Sequence, residues 1–132
     1  MSILEGLLKP TRSVHAHCDL PCGVYDPAQA RIEAESVKAC QEKFAGSDDP
    51  VFRERAIAIK EERATMVKGH LWVLWTDYFK SEHLERFPDL HDKFWNATKL
   101  AGAAKKSEDP AQGQELLNAI DEISKIFWET KS

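Results

Sequence analysis

A chain of 132 residues, 42% hydrophobic and 30% charged, has room for one domain with a single core and the balance of a soluble globular protein. Its net charge of -4 excludes the basic surplus of a general nucleic-acid binder, and no uninterrupted apolar run approaches the ~20 residues of a membrane span. The three cysteines, Cys18, Cys22 and Cys40, are odd in number and a poor fit to a disulfide framework.

The first sixteen residues, Met1 to Ala16, differ in character from the rest of the chain. Ile3, Leu4, Leu7 and Leu8 have the spacing of one or two amphipathic turns, but Gly6 and Pro10 interrupt them. A secretory signal needs a continuous apolar core of roughly 7–15 residues; none is present, so a cytoplasmic location is expected. Val14-His15-Ala16 has the small-residue character of a cleavage site. The segment reads as a plain N-terminal arm or as a pro-segment, 1-16, removed ahead of His17.

Next comes His17-Cys18-Asp19-Leu20-Pro21-Cys22-Gly23-Val24-Tyr25, which precedes the first helix signal and is expected to be a loop. Beyond it, proline marks the helix starts. Asp26-Pro27-Ala28-Gln29 and Asp109-Pro110-Ala111-Gln112 are the same tetrapeptide: Asp can cap, Pro suits the first helical position, and Gln can complete a capping box. Asp49-Pro50 is a third start and Phe87-Pro88 a weaker fourth. Four helices are predicted, over 27–44, 50–79, 88–105 and 110–129.

The first places Ile32, Val37, Cys40 and Phe44 on one apolar face. The second keeps helical spacing through Phe52, Ile59, Met66 and Val67, then Leu71, Leu74, Trp75 and Tyr78, with Gly69 a point where it could bend. The third turns Leu90, Phe94, Ala97 and Ala101 inward, and the fourth Leu116, Ile120, Ile123 and Phe127. No alternating strand pattern competes. The expected fold is all-α, an antiparallel four-helix bundle spanning 27-130 with short connections. Its Trp and Phe stripes read as core, in part as subunit interface. Cys40 reads as a small buried residue, and Glu61-Glu62-Arg63 as a solvated helix face.

The chemistry concentrates in the loop. One histidine and two cysteines fall within six residues, and Pro21 and Gly23 suit a forced chain reversal that would bring the two sulfurs together. A redox pair would normally be Cys-x-x-Cys beside a βαβ unit, which is absent. A structural zinc site wants four ligands, so one of His70, His83 or His91 would have to join. Two thiolates with backbone nitrogens suit a square-planar ion such as nickel or copper(II). Metal binding is favoured, with the metal open at this level.

The longer stretch His17-Cys18-Asp19-Leu20-Pro21-Cys22-Gly23-Val24-Tyr25-Asp26-Pro27-Ala28-Gln29-Ala30-Arg31-Ile32-Glu33 resembles the nickel hook of the nickel superoxide dismutase family. The similarity runs on through the second helix to Lys125-Ile126-Phe127-Trp128-Glu129-Thr130-Lys131, so it covers essentially everything after Ala16. The resemblance implies a superoxide dismutase with a nickel ion, converting superoxide to oxygen and hydrogen peroxide. It also implies removal of the pro-segment by a maturation protease, a possible nickel chaperone, and assembly as a homohexamer.

In that family the freed amine of the hook histidine, here His17, the amide nitrogen of Cys18, and the sulfurs of Cys18 and Cys22 ligate nickel in a plane. The His17 imidazole is then an axial ligand in the oxidised state. An uncleaved chain has a peptide nitrogen at His17, so this set cannot assemble. Strong donation by thiolates and a deprotonated amide brings the higher oxidation state of the metal within reach. Thiolates beside an oxidant are open to oxidation themselves, so access must be restricted.

By the same resemblance Tyr25 screens the open face of the metal with Asp19 as its partner, and Pro21 sets the reversal through a cis bond. Glu33 and Arg63 orient the imidazole. Cys40 has no assigned chemistry. Two readings from other classes stay open on the residues alone: a bundle that delivers a soft metal without turnover, and a structural bundle with a Cys18–Cys22 disulfide.

Overall fold

The structure, a computed structural model, describes residues 22–132. Three helices start where an aspartate accepts a backbone N–H two residues on. Asp26 takes the N–H of Ala28 (2.9 Å) at the head of α1, Ala28–Ala45. Asp49 takes that of Val51 (3.1 Å) at the head of α2, Pro50–Val73. The remaining connection holds a short helix, α3, Ser81–Arg86, before α4, Leu90–Lys106. Asp109 takes the N–H of Ala111 (3.0 Å) to open α5, Pro110–Glu129. Proline costs nothing at these positions, because its missing N–H would have had no helical partner.

The expected capping box of α5 does not form. The Asp109 N–H donates to Ser107 Oγ (3.1 Å), as the Asp49 N–H does to Ser47 Oγ (3.2 Å), and Gln112 Oε1 is buried without a hydrogen bond. A serine two residues ahead closes a tighter ring than a glutamine three residues on, so Ser-x-Asp-Pro is the working start signal. Five α-helices are present among the described residues where four were predicted. The start expected at Pro88 falls at Leu90, after a turn in which the Leu90 N–H donates to Phe87 O (3.1 Å).

Helix α2 runs through Gly69 as regular α-helix and changes character later. Over Leu74–Tyr78 it widens into a π-turn, closed by the Phe79 N–H donating to Leu74 O (3.0 Å). Such single turns occur often at functional sites.

Helices α1, α2, α4 and α5 form the expected antiparallel bundle, with α1 against α2 and α5, and α4 completing the square. Cross-links fix the directions. Arg31 meets Asp121 and Lys38 meets Gln114 between α1 and α5. Lys105 reaches Thr65 and Trp75 reaches His91 between α4 and α2. One end of the bundle therefore gathers the start of α1, the π-turn, the start of α4 and the end of α5.

The stripes expected on α4 and α5 are buried, together with Val67, Leu71 and Leu74 of α2. Those expected on α1 and the first half of α2 are not. Of the α1 set only Val37 is buried; Ile32 is 58% exposed, while Cys40 and Phe44 are half-buried. Phe52, Ile59 and Met66 of α2 are 40%, 40% and 36% exposed. The inner faces there are built from Ala30, Ala34, Ala56 and Ala64, whose small side chains let helices approach closely and turn the bulky residues outward. The aromatic stripes divide likewise: Phe79, Phe94 and Phe127 are core, whereas Trp72, Trp95 and Trp128 are exposed.

The bundle end away from the π-turn is locked by two buried polar side chains. Gln41 donates to Ala104 O (3.3 Å) and Ser107 O (3.0 Å) and accepts the Gly113 N–H (3.1 Å). Lys60, 2% exposed, donates to Ser107 O (2.7 Å) and Glu108 Oε1 (3.0 Å). Burial without such partners would be expensive for either group. Gly113 is required by this lock: a Cβ there would lie 2.5 Å from Gln41 Oε1 and 2.8 Å from Lys38 Cα. Gly113→Ala, normally a gain in helix propensity, is expected to destabilise the fold by about 1–3 kcal/mol and lower the melting temperature by several degrees. A melting temperature equal to or above that of the parent would show that α1 and α5 can part at no cost.

Candidate metal centre

The described residues begin inside the hook, at its last four positions, Cys22 to Tyr25. Gly23 has φ +74°, a left-handed conformation that an L side chain adopts only with strain. That turn brings the Val24 N–H to 3.3 Å from Cys22 Sγ, in position to donate to it. A backbone N–H aimed at sulfur stabilises an anionic thiolate, the form in which cysteine binds metals. Cys22 itself is exposed.

Tyr25 anchors this turn to the bundle. Its ring packs on that of Tyr78, centroids 5.5 Å apart and planes at 57°. Tyr78 is the last residue of the π-turn, and aromatic groups hold it on several sides. Phe127 lies 4.4 Å away, Phe79 5.0 Å, and His83 is stacked at 5.8 Å with planes 8° apart. Its hydroxyl meets Thr130 Oγ1 at 2.6 Å, and the Lys131 ammonium sits 5.0 Å from its ring centre. A cleft beside the hook is lined by Gly23, Tyr25, Tyr78, Lys80, His83 and Lys131, with Asp77 and Glu82 also on its wall.

Glu33 and Arg63 are brought together. Arg63 Nη1 donates to Glu33 Oε2 at 3.2 Å, linking α1 to α2, and the same guanidinium reaches Glu62 and Met66 Sδ. Glu33 is only 15% exposed and Arg63 33%, so this is more enclosed than an ordinary surface ion pair, and Arg63 departs from the solvated face expected of it. Glu33 stands about 8 Å along α1 from the helix start next to the hook.

His17, Cys18, Asp19 and Pro21 lie outside the described residues, as does the pro-segment, so of the expected metal ligands the structure describes Cys22. Among the described residues no group of three or more His, Cys, Asp or Glu side chains is placed to hold a metal. Two of the three histidines considered as extra ligands have a ring nitrogen engaged. His91 Nδ1 accepts from Trp75 Nε1 (2.7 Å), and His83 Nδ1 accepts the Lys80 N–H (3.0 Å). Cys40 is half-buried rather than buried. Burial pushes its thiol up against the opposing pull of Arg63, Lys43 and Lys60.

Sequence reasoning placed Tyr78 in the core stripe and missed its place at the hook. The available signal was its hydroxyl: a tyrosine on an otherwise apolar face needs a hydrogen-bond partner, and the partner here is the threonine of the C-terminal turn.

Comparison with known proteins adds to this geometry. The family model described as nickel-containing superoxide dismutase matches residues 12–131. Curated proteins of Streptomyces coelicolor and Streptomyces seoulensis, both named as the nickel form of superoxide dismutase, are each 60% identical over 129 residues, covering 98% of this chain and 98% of theirs. The native structure of a nickel superoxide dismutase is similar with a TM-score of 0.86 and 63% identity, covering 87% of this chain and 98% of that one.

The turn at Gly23 generates a prediction. Among the described residues nothing lies within 4 Å of a Cβ there, so Gly23→Ala adds backbone strain without a clash against them, at a cost of about 1–2 kcal/mol. Metal occupancy is expected to fall while helix content stays that of the parent and the melting temperature of the metal-free chain drops by no more than a few degrees. Full occupancy in Gly23→Ala would mean that the left-handed turn is not needed to present Cys22.

Proposed function

Since this chain belongs to the nickel-containing superoxide dismutase family, we propose that the hook from His17 to Tyr25 is its metal centre, with His17, Cys18 and Cys22 as the ligands. Its activity is conversion of superoxide to oxygen and hydrogen peroxide, and its cofactor is nickel. The observation that carries the site assignment is the Cys22–Tyr25 turn, in which a backbone N–H meets the Cys22 sulfur and Tyr25 is seated on Tyr78. Soft thiolates beside nitrogen donors fit nickel, so the donor set and the cofactor agree. When bound, nickel supplies the one-electron couple that lets one superoxide be oxidised and the next reduced.

The chain's own groups do the rest. The sulfurs of Cys18 and Cys22, the Cys18 amide nitrogen, and the amine and imidazole of His17 would hold the ion. Pro21 and Gly23 would reverse the chain so that both sulfurs could face it, and Gly23 has the left-handed φ such a turn needs. Tyr25, with Asp19 as its partner, would screen the ion's open side and limit what reaches the thiolates. The Glu33–Arg63 pair orients the His17 imidazole. In this reading Glu33 owes its fixed position to the guanidinium 3.2 Å away.

An amine ligand at His17 requires removal of residues 1-16 by a maturation protease, with a nickel chaperone as a possible supplier of the ion. One comparison supports the cleavage. The curated relatives and the solved chain are each covered over 98% of their own length, yet they span 98% and 87% of this chain respectively. The solved chain is thus shorter by nearly the length of the segment ahead of His17.

Assembly as a homohexamer is the remaining part of the proposal. Phe52, Ile59 and Met66 recur every seven residues on the outer face of α2, all at least 36% exposed. Such a seam suits the same helix or another of a second copy.

Chain beginning at His17 is expected to bind nickel and consume superoxide, whereas chain beginning at Met1 does neither; equal nickel loading of the two would remove the amine from the ligand set. Cys22→Ser is expected to lose both nickel and activity. Ile59→Glu tests the seam: a smaller species is expected in sedimentation at unchanged helix content, and a parental mass would place the interface elsewhere.

A further inference from the structure

The C-terminal turn is joined to the hook through one hydroxyl. Thr130 comes directly after the last residue of α5, and its Oγ1 has two partners: the Phe127 carbonyl oxygen at 2.5 Å and the Tyr78 hydroxyl at 2.6 Å. The protons in this chain of bonds can be counted. A carbonyl oxygen only accepts, so the single Thr130 hydroxyl proton must point to Phe127. Thr130 Oγ1 then has only lone pairs to offer Tyr78, so the Tyr78 hydroxyl is the donor. Two oxygens this close with no proton between them would repel.

The phenol is thereby held in one orientation, its proton turned toward the end of α5. Rotation of the hydroxyl would break the bond, and ring contacts with Phe127, Phe79 and His83 oppose any tilt. The turn that carries Thr130 is itself secured, since the Thr130 N–H donates to Ile126 O and Phe127 O at 3.1 Å and Arg86 of α3 donates to Glu129 O. We infer that Thr130 is a positioning residue for superoxide turnover, fixing the Tyr78 hydroxyl as a donor and so the wall on which Tyr25 of the hook is seated. This rests on the hook being the metal centre. It adds a residue from the far end of the chain, more than a hundred positions beyond the hook, to the machinery that holds the site.

The test is a double-mutant cycle on nickel-loaded chain beginning at His17, joined to a measurement on metal-free chain. Thr130→Val keeps the shape and removes the acceptor. It is expected to lower kcat/KM for superoxide about 3–10-fold, the worth of one hydrogen bond, at parental nickel content. Thr130→Ser is expected to restore parental turnover, and Thr130→Val is expected to add nothing in a Tyr78→Phe background. In proton NMR of the metal-free chain, the Tyr78 hydroxyl is expected as a slowly exchanging resonance close to the Thr130 methyl, lost in Thr130→Val. Equal impairment of the Ser and Val variants, full additivity with Tyr78→Phe, or a parental rate in Thr130→Val would overturn the inference. Failure of the parent hook to hold nickel would instead overturn the assignment of the metal centre. The two failures are therefore told apart by metal content.

Discussion

Close approach of helices on alanine is the constraint on which the rest of the molecule depends. Ala30 and Ala34 of α1, Ala56 and Ala64 of α2, and Ala97, Ala101 and Ala104 of α4 are all buried. With so little side chain between backbones, there is no room inside for the larger residues of α1 and early α2, which are displaced to the outer surface. The same tightness leaves the Ser107–Asp109 connection close enough for Gln41 and Lys60 to satisfy the Ser107 carbonyl directly. Packing of this kind tolerates neither gaps nor added atoms, which is why a glycine is held in the first turns of an otherwise strong helix-forming sequence.

The two ends of the bundle then take different tasks. One is closed by buried hydrogen bonds. The other is aromatic, with Tyr78, Phe79 and Phe127 in mutual contact, and it receives the hook through Tyr25. A short metal-binding segment has little apolar area of its own and cannot hold one conformation unaided. Seating a tyrosine on a rigid aromatic platform supplies that order while leaving Cys22 exposed. The enclosed Glu33–Arg63 pair ties α1 to α2 beside it.

Much of this was legible in the residues. The Asp-Pro pairs located three helix starts within a residue or so, and the large, well-spaced apolar residues of α5 announced their buried face. Where alanine lines the core, the eye is drawn to Ile32, Phe52 and Ile59, which are the wrong face; a small residue marks close contact no less than a large one marks burial. Helix α3 is too short to carry a periodic signal. The hook was recognisable because an uncommon combination of His, Cys, Pro and Gly is compressed into nine positions. Tyr78 and Thr130 were not, because what unites them is a bond across 52 residues of chain, and no local pattern reports such a pairing.

The π-turn at the end of α2 has a further consequence. An α-helix that gains one residue without changing its length in turns must bulge, and a π-turn is the form such an insertion takes. Each residue of a helix rotates the chain by about 100°, so the extra one redirects every side chain beyond it. Tyr78 and Phe79, the last residue of that turn and the one after it, both meet Phe127 at the aromatic end. The widened turn thus ends α2 on two adjacent aromatic side chains, one packed against the end of α5 and also giving Tyr25 its seat, so a helix terminus serves as a fixed mount for the segment that precedes the first helix.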